Sequence, residues 1–150
     1  MNDKKRKQLL KEIPCIEKVQ KDILGLINTN TARIISDPIA LSEFEDALII
    51  CSNKVEKSLF VIGNIYASDA AGYDNLPEGI RDTELGDSLL ESSAKILNVI
   101  NALEEAYSSI NKLIDKIEEN IPFESAEFEL IDVIPNLYKA IQHIGCAVSK

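Results

Sequence analysis

The chain has few of the residues that interrupt regular structure. Among its 150 residues there are 6 Gly, 5 Pro and no Trp, and aromatic residues amount to 5%. So few turn-forming residues predict long elements rather than many short ones. The apolar residues, 45% of the chain, are mostly Ile, Leu, Val and Ala, which suits an interior of packed helices. A chain of this length is expected to form one domain, residues 1–150.

Histidine and arginine are scarce, and this excludes several kinds of helical enzyme. The only histidine is His143, and Ala140 stands where a di-iron site would need the Glu of a Glu-x-x-His motif. Arg6, Arg33 and Arg81 are too few and too scattered for a helical chorismate mutase or for the Arg–His motif of HEPN nucleases. No Walker A, GxSxG or GxGxxG motif occurs. We therefore predict no catalytic residue, metal site or cofactor, and a protein that is not an enzyme.

The three cysteines do not have the pattern of a disulfide framework. Cys15, Cys51 and Cys146 are odd in number and far apart, and each lies in an apolar stretch. This favours reduced, buried thiols in a cytoplasmic protein. The basic start of the chain is not followed by the apolar segment of a signal peptide. No run of about 18 apolar residues is present to span a membrane.

Apolar residues recur at spacings of three and four residues and predict helices. Two capping patterns are possible for the second of them: Asp37 followed by Pro38, and the capping box Ser42-x-x-Glu45. Pro14 should kink or restart the first helix, and Pro135 should kink the fourth or split it near Ile134. The four predicted helices cover approximately residues 3–28, 38–70, 83–119 and 125–148.

The third helix has the most regular apolar stripe, with steps of alternately four and three residues. Its members are Leu89, Ser93, Ile96, Ile100, Leu103, Tyr107, Ile110, Ile114 and Ile117. A heptad pattern of this length predicts a coiled-coil-like seam. The fourth helix has one predicted apolar face of Phe128, Ile131, Ile134, Tyr138, Ile141 and Val148, which Leu130, Leu137 and Ile144 widen. We predict an all-α antiparallel four-helix bundle. An alternative is that oligomerisation completes the bundle around a hairpin of the second and third helices.

The formal net charge is −9, and acidic residues concentrate in two segments. Residues 1–11 carry +4, which is typical of a solvated, frayed end, while residues 67–91 and 115–132 each carry −6. The two acidic segments would lie at opposite ends of an up-down-up-down bundle. They are either solubilising charge, favoured in part by helix N-termini, or docking surfaces for a basic partner. The candidate partner-binding residues are Asp74, Glu78, Asp82, Glu84, Asp87, Glu118, Glu119, Glu124 and Glu127.

One stretch, residues 73–86, reads Tyr-Asp-Asn-Leu-Pro-Glu-Gly-Ile-Arg-Asp-Thr-Glu-Leu-Gly. It resembles a phrase in small helical proteins of bacteria and their phages, Asp-Asn-Leu/Met-Pro-Glu-x-Leu followed by Ser-Glu-x-Gly and a long acidic helix. Ile80 stands here in place of the usual Leu. The resemblance implies a helical hairpin and a mobile-element origin, and it implies no activity. Gly86 indicates either close approach of another backbone or a late helix start near Asp87.

Three functions remain open on this sequence. The leading prediction is a non-enzymatic protein that binds another protein or assembles with itself as a homo-oligomer, with a second chain buried on the seam of the third helix. The alternative is an acidic inhibitor of the immunity, antitoxin or anti-defence type, which occludes a basic nucleic-acid enzyme. The third is a ligand-binding or enzymatic bundle interior. Direct binding to nucleic acid or to a membrane is not expected, because so acidic a surface repels phosphates.

Overall fold

A computed structural model describes residues 1–149, and every regular element among them is helical. This confirms the all-α class and the helical bundle. The helices are α1 (Asp3–Ile27), α2 (Thr31–Ser36), α3 (Pro38–Asp74), α4 (Glu78–Arg81), α5 (Glu84–Glu118), α6 (Ala126–Glu129) and α7 (Val133–Val148).

The four long helices, α1, α3, α5 and α7, pack in a ring in which each contacts the next and α7 contacts α1. One chain therefore supplies all four. We call one end of the bundle the α4 end, where α1 and α5 begin and α3 and α7 finish. The other is the α6 end, where α1 and α5 finish, α3 and α7 begin, and α2 and α6 lie.

The core contains the predicted stripe of α5 together with apolar residues of α1 and α3. In α5, Ile96, Leu103 and Ile110 are fully buried by the neighbouring helices of the same chain. In α3, Leu48 and Ile62 are equally enclosed. Burial of each such side chain stabilises the fold by about 1.5–3 kcal/mol. No second chain is needed to cover the predicted seam of α5.

Between α1 and α5 the helix boundaries differ from the prediction at α2, at the end of α3 and at α4. Asn30 caps an additional short helix, α2, by accepting a hydrogen bond from the backbone N–H of Arg33 at 3.2 Å. Asp37 and Pro38 start α3 as predicted, with the Asp37 side chain accepting from Ile39 N at 3.0 Å. However, α3 runs to Asp74, so the predicted linker 71–82 is partly helical.

The prolines act differently from expectation. Helix α1 continues from Asp3 to Ile27 with Pro14 inside it, so the predicted restart at this proline is wrong. The fourth predicted helix is indeed split, but at residues 130–132 rather than near Ile134. Pro135 consequently lies in the first turn of α7, where a missing N–H leaves no helical hydrogen bond unmade.

The predicted apolar face of the fourth helix is wrong for three of its six residues, while Ile134, Ile141 and Val148 do pack against the core. Phe128 is 62% exposed, Ile131 59% and Tyr138 55%, whereas Leu130 and Leu137 are fully buried. The core face of this region consists of Leu130, Val133, Leu137, Ala140, Ile144 and Ala147. These residues follow one another at steps of three and four and continue one stripe across the break, so that the residues expected only to widen the predicted stripe lie at the centre of the buried one.

Gly86 marks a close approach between backbones. It is buried in the first turn of α5, and a Cβ at this position would lie 2.0 Å from the carbonyl oxygen of Arg81 in α4. The first of the two interpretations of this glycine is therefore confirmed. None of the helices within residues 1–149 combines the length and the apolar character needed to cross a bilayer.

Candidate interaction surfaces

The chemistry-bearing side chains are dispersed. Within residues 1–149, no three His, Cys, Asp or Glu side chains lie close enough together to hold a metal ion. Cys51 is buried, and burial raises the pKa of its thiol to about 11, which leaves almost no thiolate at neutral pH. Cys15 and Cys146 are exposed, so the prediction that all three thiols are buried is wrong for these two. Each lies on the side of its helix that faces away from the core.

A buried carboxylate joins three helices at the α4 end. Asp69 in α3 is only 1% exposed. One of its oxygens lies 2.6 Å from Lys5 Nζ of α1, and the other accepts a hydrogen bond from Ser92 Oγ of α5 at 2.8 Å. A buried charge must be paired in this way to be tolerated. Asp69 had been predicted to belong to an acidic segment at the surface, and the one sign of its burial in the sequence is its position one helical turn after the apolar Ile65.

The basic first segment of the chain is docked at the same end, so the prediction of a frayed end is wrong. Helix α1 begins at Asp3, Lys5 pairs with Asp69, and Leu9 is fully buried. Arg6 shares a cavity of about 200 Å³ with Glu91, between the start of α5 and the end of α7. The positive charge of residues 1–11 therefore offsets the acidic segment 67–91, which lies beside it.

The first acidic group of predicted site residues surrounds this end. Asp74 ends α3, Glu78 lies in α4, and Asp82, Glu84 and Asp87 lie around the start of α5. All five side chains are exposed. Glu84 and Asp87 are in the first turn of α5, where the helix dipole favours negative charge. Solubility and the dipole therefore account for much of this group.

Acidic residues from the end of α5, from the connection to α7 and from the start of α3 lie at the α6 end. The second predicted group, Glu118, Glu119, Glu124 and Glu127, lies here, and all four side chains are exposed. The start of α3 adds Asp37, Glu43, Glu45 and Asp46, with no Lys or Arg between residues 37 and 46. The fold therefore combines acidic segments at the α6 end, whereas at the α4 end it places a basic segment beside an acidic one.

These carboxylates affect one another. Partial burial, followed by the charges of Glu118 and Asp46, raises the pKa of the Glu45 carboxyl. Glu118 is moreover in the last turn of α5, where the helix dipole disfavours negative charge. Both effects reduce stability at neutral pH. The dipole that explains acidic residues at helix starts cannot explain Glu118 and its neighbour Glu119.

The connection between α5 and α7 is held in one conformation. Helix α5 ends in a Schellman motif, in which Asn120 adopts the left-handed conformation with φ of 56° and Ile121 N donates to Lys116 O at 2.8 Å. Ala126 N donates to Thr31 Oγ1 at 2.9 Å, which ties α6 to α2. Lys116 also pairs with Glu129 at 2.6 Å. These contacts hold the backbone of the connection against α5 and α2.

Large apolar side chains emerge from this connection among the carboxylates. Phe128 is exposed in α6, between Glu127 and Glu129, and Ile121 is 44% exposed after Glu119. We define the α6-end surface as Glu118, Glu119, Ile121, Glu124, Glu127 and Phe128. Apolar anchors within a polar rim are the usual composition of a protein-binding surface. The acidic residues of this surface were predicted from the sequence, whereas Phe128 had been predicted to lie on the apolar face of the fourth helix.

Comparison with protein-family models, with characterised proteins and with experimentally determined structures gave no match to this chain.

Proposed function

We propose that this protein has no enzymatic activity and works by binding another protein through the α6-end surface. The observation that carries the proposal is the exposed Phe128, flanked by Glu127 and Glu129 at an end of the bundle where Glu118 helps to raise the pKa of the Glu45 carboxyl. Natural sequences keep groups that reduce stability mainly at functional sites. Free thiols at Cys15, Cys51 and Cys146 accord with a cytoplasmic location for this activity.

The chemistry of the surface defines the partner. Its carboxylates favour a basic surface, which they attract over a distance set by the ionic strength. Phe128 needs an apolar pocket within that basic surface, because an aromatic anchor supplies most of its binding energy when it is fully desolvated. The rigid connection lowers the entropy lost on binding, since the anchor is already in place.

An acidic inhibitor is the second candidate, and the excess of negative charge at the α6 end favours it. Enzymes that act on nucleic acids present basic clefts to the phosphate backbone. A surface rich in carboxylates competes with phosphates for such a cleft. The mobile-element origin implied by residues 73–86 accords with an immunity, antitoxin or anti-defence role.

Affinity capture from a lysate of the source organism tests the proposal, with the wild type and two charge-reversal variants as bait. Glu124→Lys with Glu127→Lys alters the α6-end surface. Glu78→Lys with Glu84→Lys is the matched control, because it reverses two exposed charges at the other end. We expect one protein to be captured by the wild type and the control but not by the α6-end variant. Equal capture by all three baits would refute the proposed surface, and a captured nucleic-acid enzyme would select the inhibitor.

A further inference from the structure

The outer side of α3 has no exposed charge over about four helical turns. Between Lys57 and Asp74 the only charged residue is Asp69, which is buried. Phe60 lies in this stretch and is 71% exposed. Charged residues make up 27% of the chain, so an uncharged surface of this length around an exposed aromatic ring marks a candidate site of interaction.

The adjoining side of α5 continues the uncharged surface. The hydrogen bonds from Ser52 to Asn111 and from Tyr107 to Glu56 identify the sides on which α3 and α5 meet. Phe60 follows Glu56 by one turn and therefore emerges along the outer edge of this contact. No Asp, Glu, Lys or Arg occurs between residues 96 and 103 of α5. We define the α3–α5 face as the exposed residues that continue from Phe60 at steps of three and four on α3 and those that lie beside them on α5: Phe60, Asn64, Ala67, Ala71, Leu90, Ala94, Leu97 and Asn101.

One basic and one acidic residue lie at the same level at the boundary of this face. The level is set by the hydrogen bond between Tyr107 and Glu56. Lys57 is one residue from Glu56 toward the α4 end, and Glu105 is two residues from Tyr107 in the same direction. The levels of Lys57 and Glu105 along the bundle axis therefore differ by only about 1.5 Å. Both side chains are exposed, and neither forms an ion pair within residues 1–149.

The two charges lie at opposite edges of the α3–α5 face. Lys57 is one turn after Lys54, which pairs with Asp22 of α1, and it therefore lies at the α1 edge. Glu105 is rotated by about 200° from Tyr107, which places it on the side of α5 away from the α3 contact. A second copy turned by 180° about an axis parallel to the helices brings its Glu105 opposite Lys57 and its Lys57 opposite Glu105. The face is therefore complementary in charge to a second copy of itself.

We propose that two copies of this chain associate through the α3–α5 face, with a twofold axis parallel to the bundle axis. Helix α3 of each copy then lies antiparallel to α5 of the other, and each Lys57 pairs with a Glu105. Phe60 packs beside Asn101 of the other copy. A twofold interface uses the same patch on both subunits, as this arrangement requires. The dimer does not depend on the α6-end surface, and both copies present that surface at the same end.

Sedimentation velocity over about 1–100 μM protein tests this dimer, because a face roughly 20 Å long and two helices wide suits a weak, reversible interface. The wild type should change from monomer to dimer over this range, and Phe60→Ser should stay monomeric. Phe128→Ser is the matched control, because Phe128 is 62% exposed at the α6 end and its loss should leave the dimer intact. Circular dichroism establishes that each variant is folded. A wild type that stays monomeric throughout, or a Phe60→Ser variant that dimerises like the wild type, overturns the proposal.

Charge exchange tests the pairing itself. Lys57→Glu and Glu105→Lys should each weaken dimerisation by about tenfold, because both ion pairs of the dimer become repulsive. An equimolar mixture of the two variants should dimerise about as tightly as the wild type, because each mixed dimer regains two pairs of opposite charge. Lys139→Glu, on α7 and outside the face, makes the same change in net charge as Lys57→Glu and should leave the dimer intact. A mixture that dimerises no better than either variant alone overturns the proposal.

Discussion

Replacement of Lys5 by Met should destabilise the protein more than replacement of its partner, Asp69, by Asn. Lys5 is 21% exposed and can turn its ammonium group to water when Asp69 loses its charge. In Asp69→Asn the side-chain amide oxygen can still accept the hydrogen bond from Ser92. Asp69 itself is 1% exposed and has no freedom to reach water. Without Lys5 its carboxylate stays buried with one hydrogen bond and no countercharge.

The burial of the two partners sets the expected loss of unfolding free energy in each variant. Loss of one member of a fully buried ion pair costs about 3–5 kcal/mol, and partial exposure of Lys5 reduces this to about 2–3 kcal/mol for Lys5→Met. Asp69→Asn should cost about 1 kcal/mol, the net value of an ordinary hydrogen bond. The double variant should be more stable than Lys5→Met alone, because it no longer buries an unpaired charge.

Urea unfolding at neutral pH, followed by circular dichroism, measures these differences. Lys4→Met is the control, since Lys4 is exposed and the change should alter the free energy of unfolding by less than about 0.5 kcal/mol. Equal free energies of unfolding for Lys5→Met and Lys4→Met would contradict this prediction. A double variant, Lys5→Met with Asp69→Asn, that is less stable than Lys5→Met alone would also contradict it.

Three other substitutions test the fold by the same unfolding measurement. Gly86→Ala should lower the free energy of unfolding by about 1–3 kcal/mol, because the added Cβ meets the backbone of Arg81. Gly63→Ala is the control, because nothing lies within 4 Å of the added Cβ, and it should not destabilise the protein. Equal effects of the two substitutions would contradict the close approach at Gly86. Asn120→Ala should lower the free energy of unfolding by about 1 kcal/mol, because Ala tolerates the left-handed conformation, with φ of 56°, less well than Asn. Asn101→Ala, inside α5, is the control and should not lower it. Because the pKa of Glu45 is raised, its folded form holds the proton more tightly, and stability is lost as the pH rises through that pKa. Glu45→Gln should therefore increase the free energy of unfolding by about 0.2–0.5 kcal/mol at neutral pH and leave it unchanged at low pH. An increase that does not depend on pH would contradict an unfavourable charge at Glu45 beside Glu118 and Asp46.

Sequence periodicity predicted the bundle but not every face of it. The stripe of α5 has steps of alternately four and three residues, and its buried side could be predicted from them. In the fourth predicted helix two stripes have this spacing, one through Leu137 and one through Tyr138, and the spacing alone does not choose between them. The polar residue Gln142, one turn after Tyr138, is the signal in the sequence that the side of Tyr138 is exposed.

The candidate surface was predictable in its chemistry and not in its arrangement. Exposure of the acidic residues followed from their charge. That the basic first segment would offset one acidic segment, while the start of α3 would reinforce the other, depends on which helix ends meet in the fold. Burial of Asp69 depends on Lys5, a residue 64 positions away in the chain, and local sequence could not reveal that pairing.

The α6-end surface is tested most directly by measuring how tightly the captured partner binds the wild type, Phe128→Ser, and Glu124→Lys with Glu127→Lys. Each affinity is measured at low and at high salt. Phe128→Ser should weaken binding at both salt concentrations, by at least about tenfold, since it removes an apolar anchor. Glu124→Lys with Glu127→Lys should weaken binding mainly at low salt and reduce its salt dependence, because screening acts on the charges alone. Wild-type affinity in both variants at both salt concentrations would contradict the proposed function.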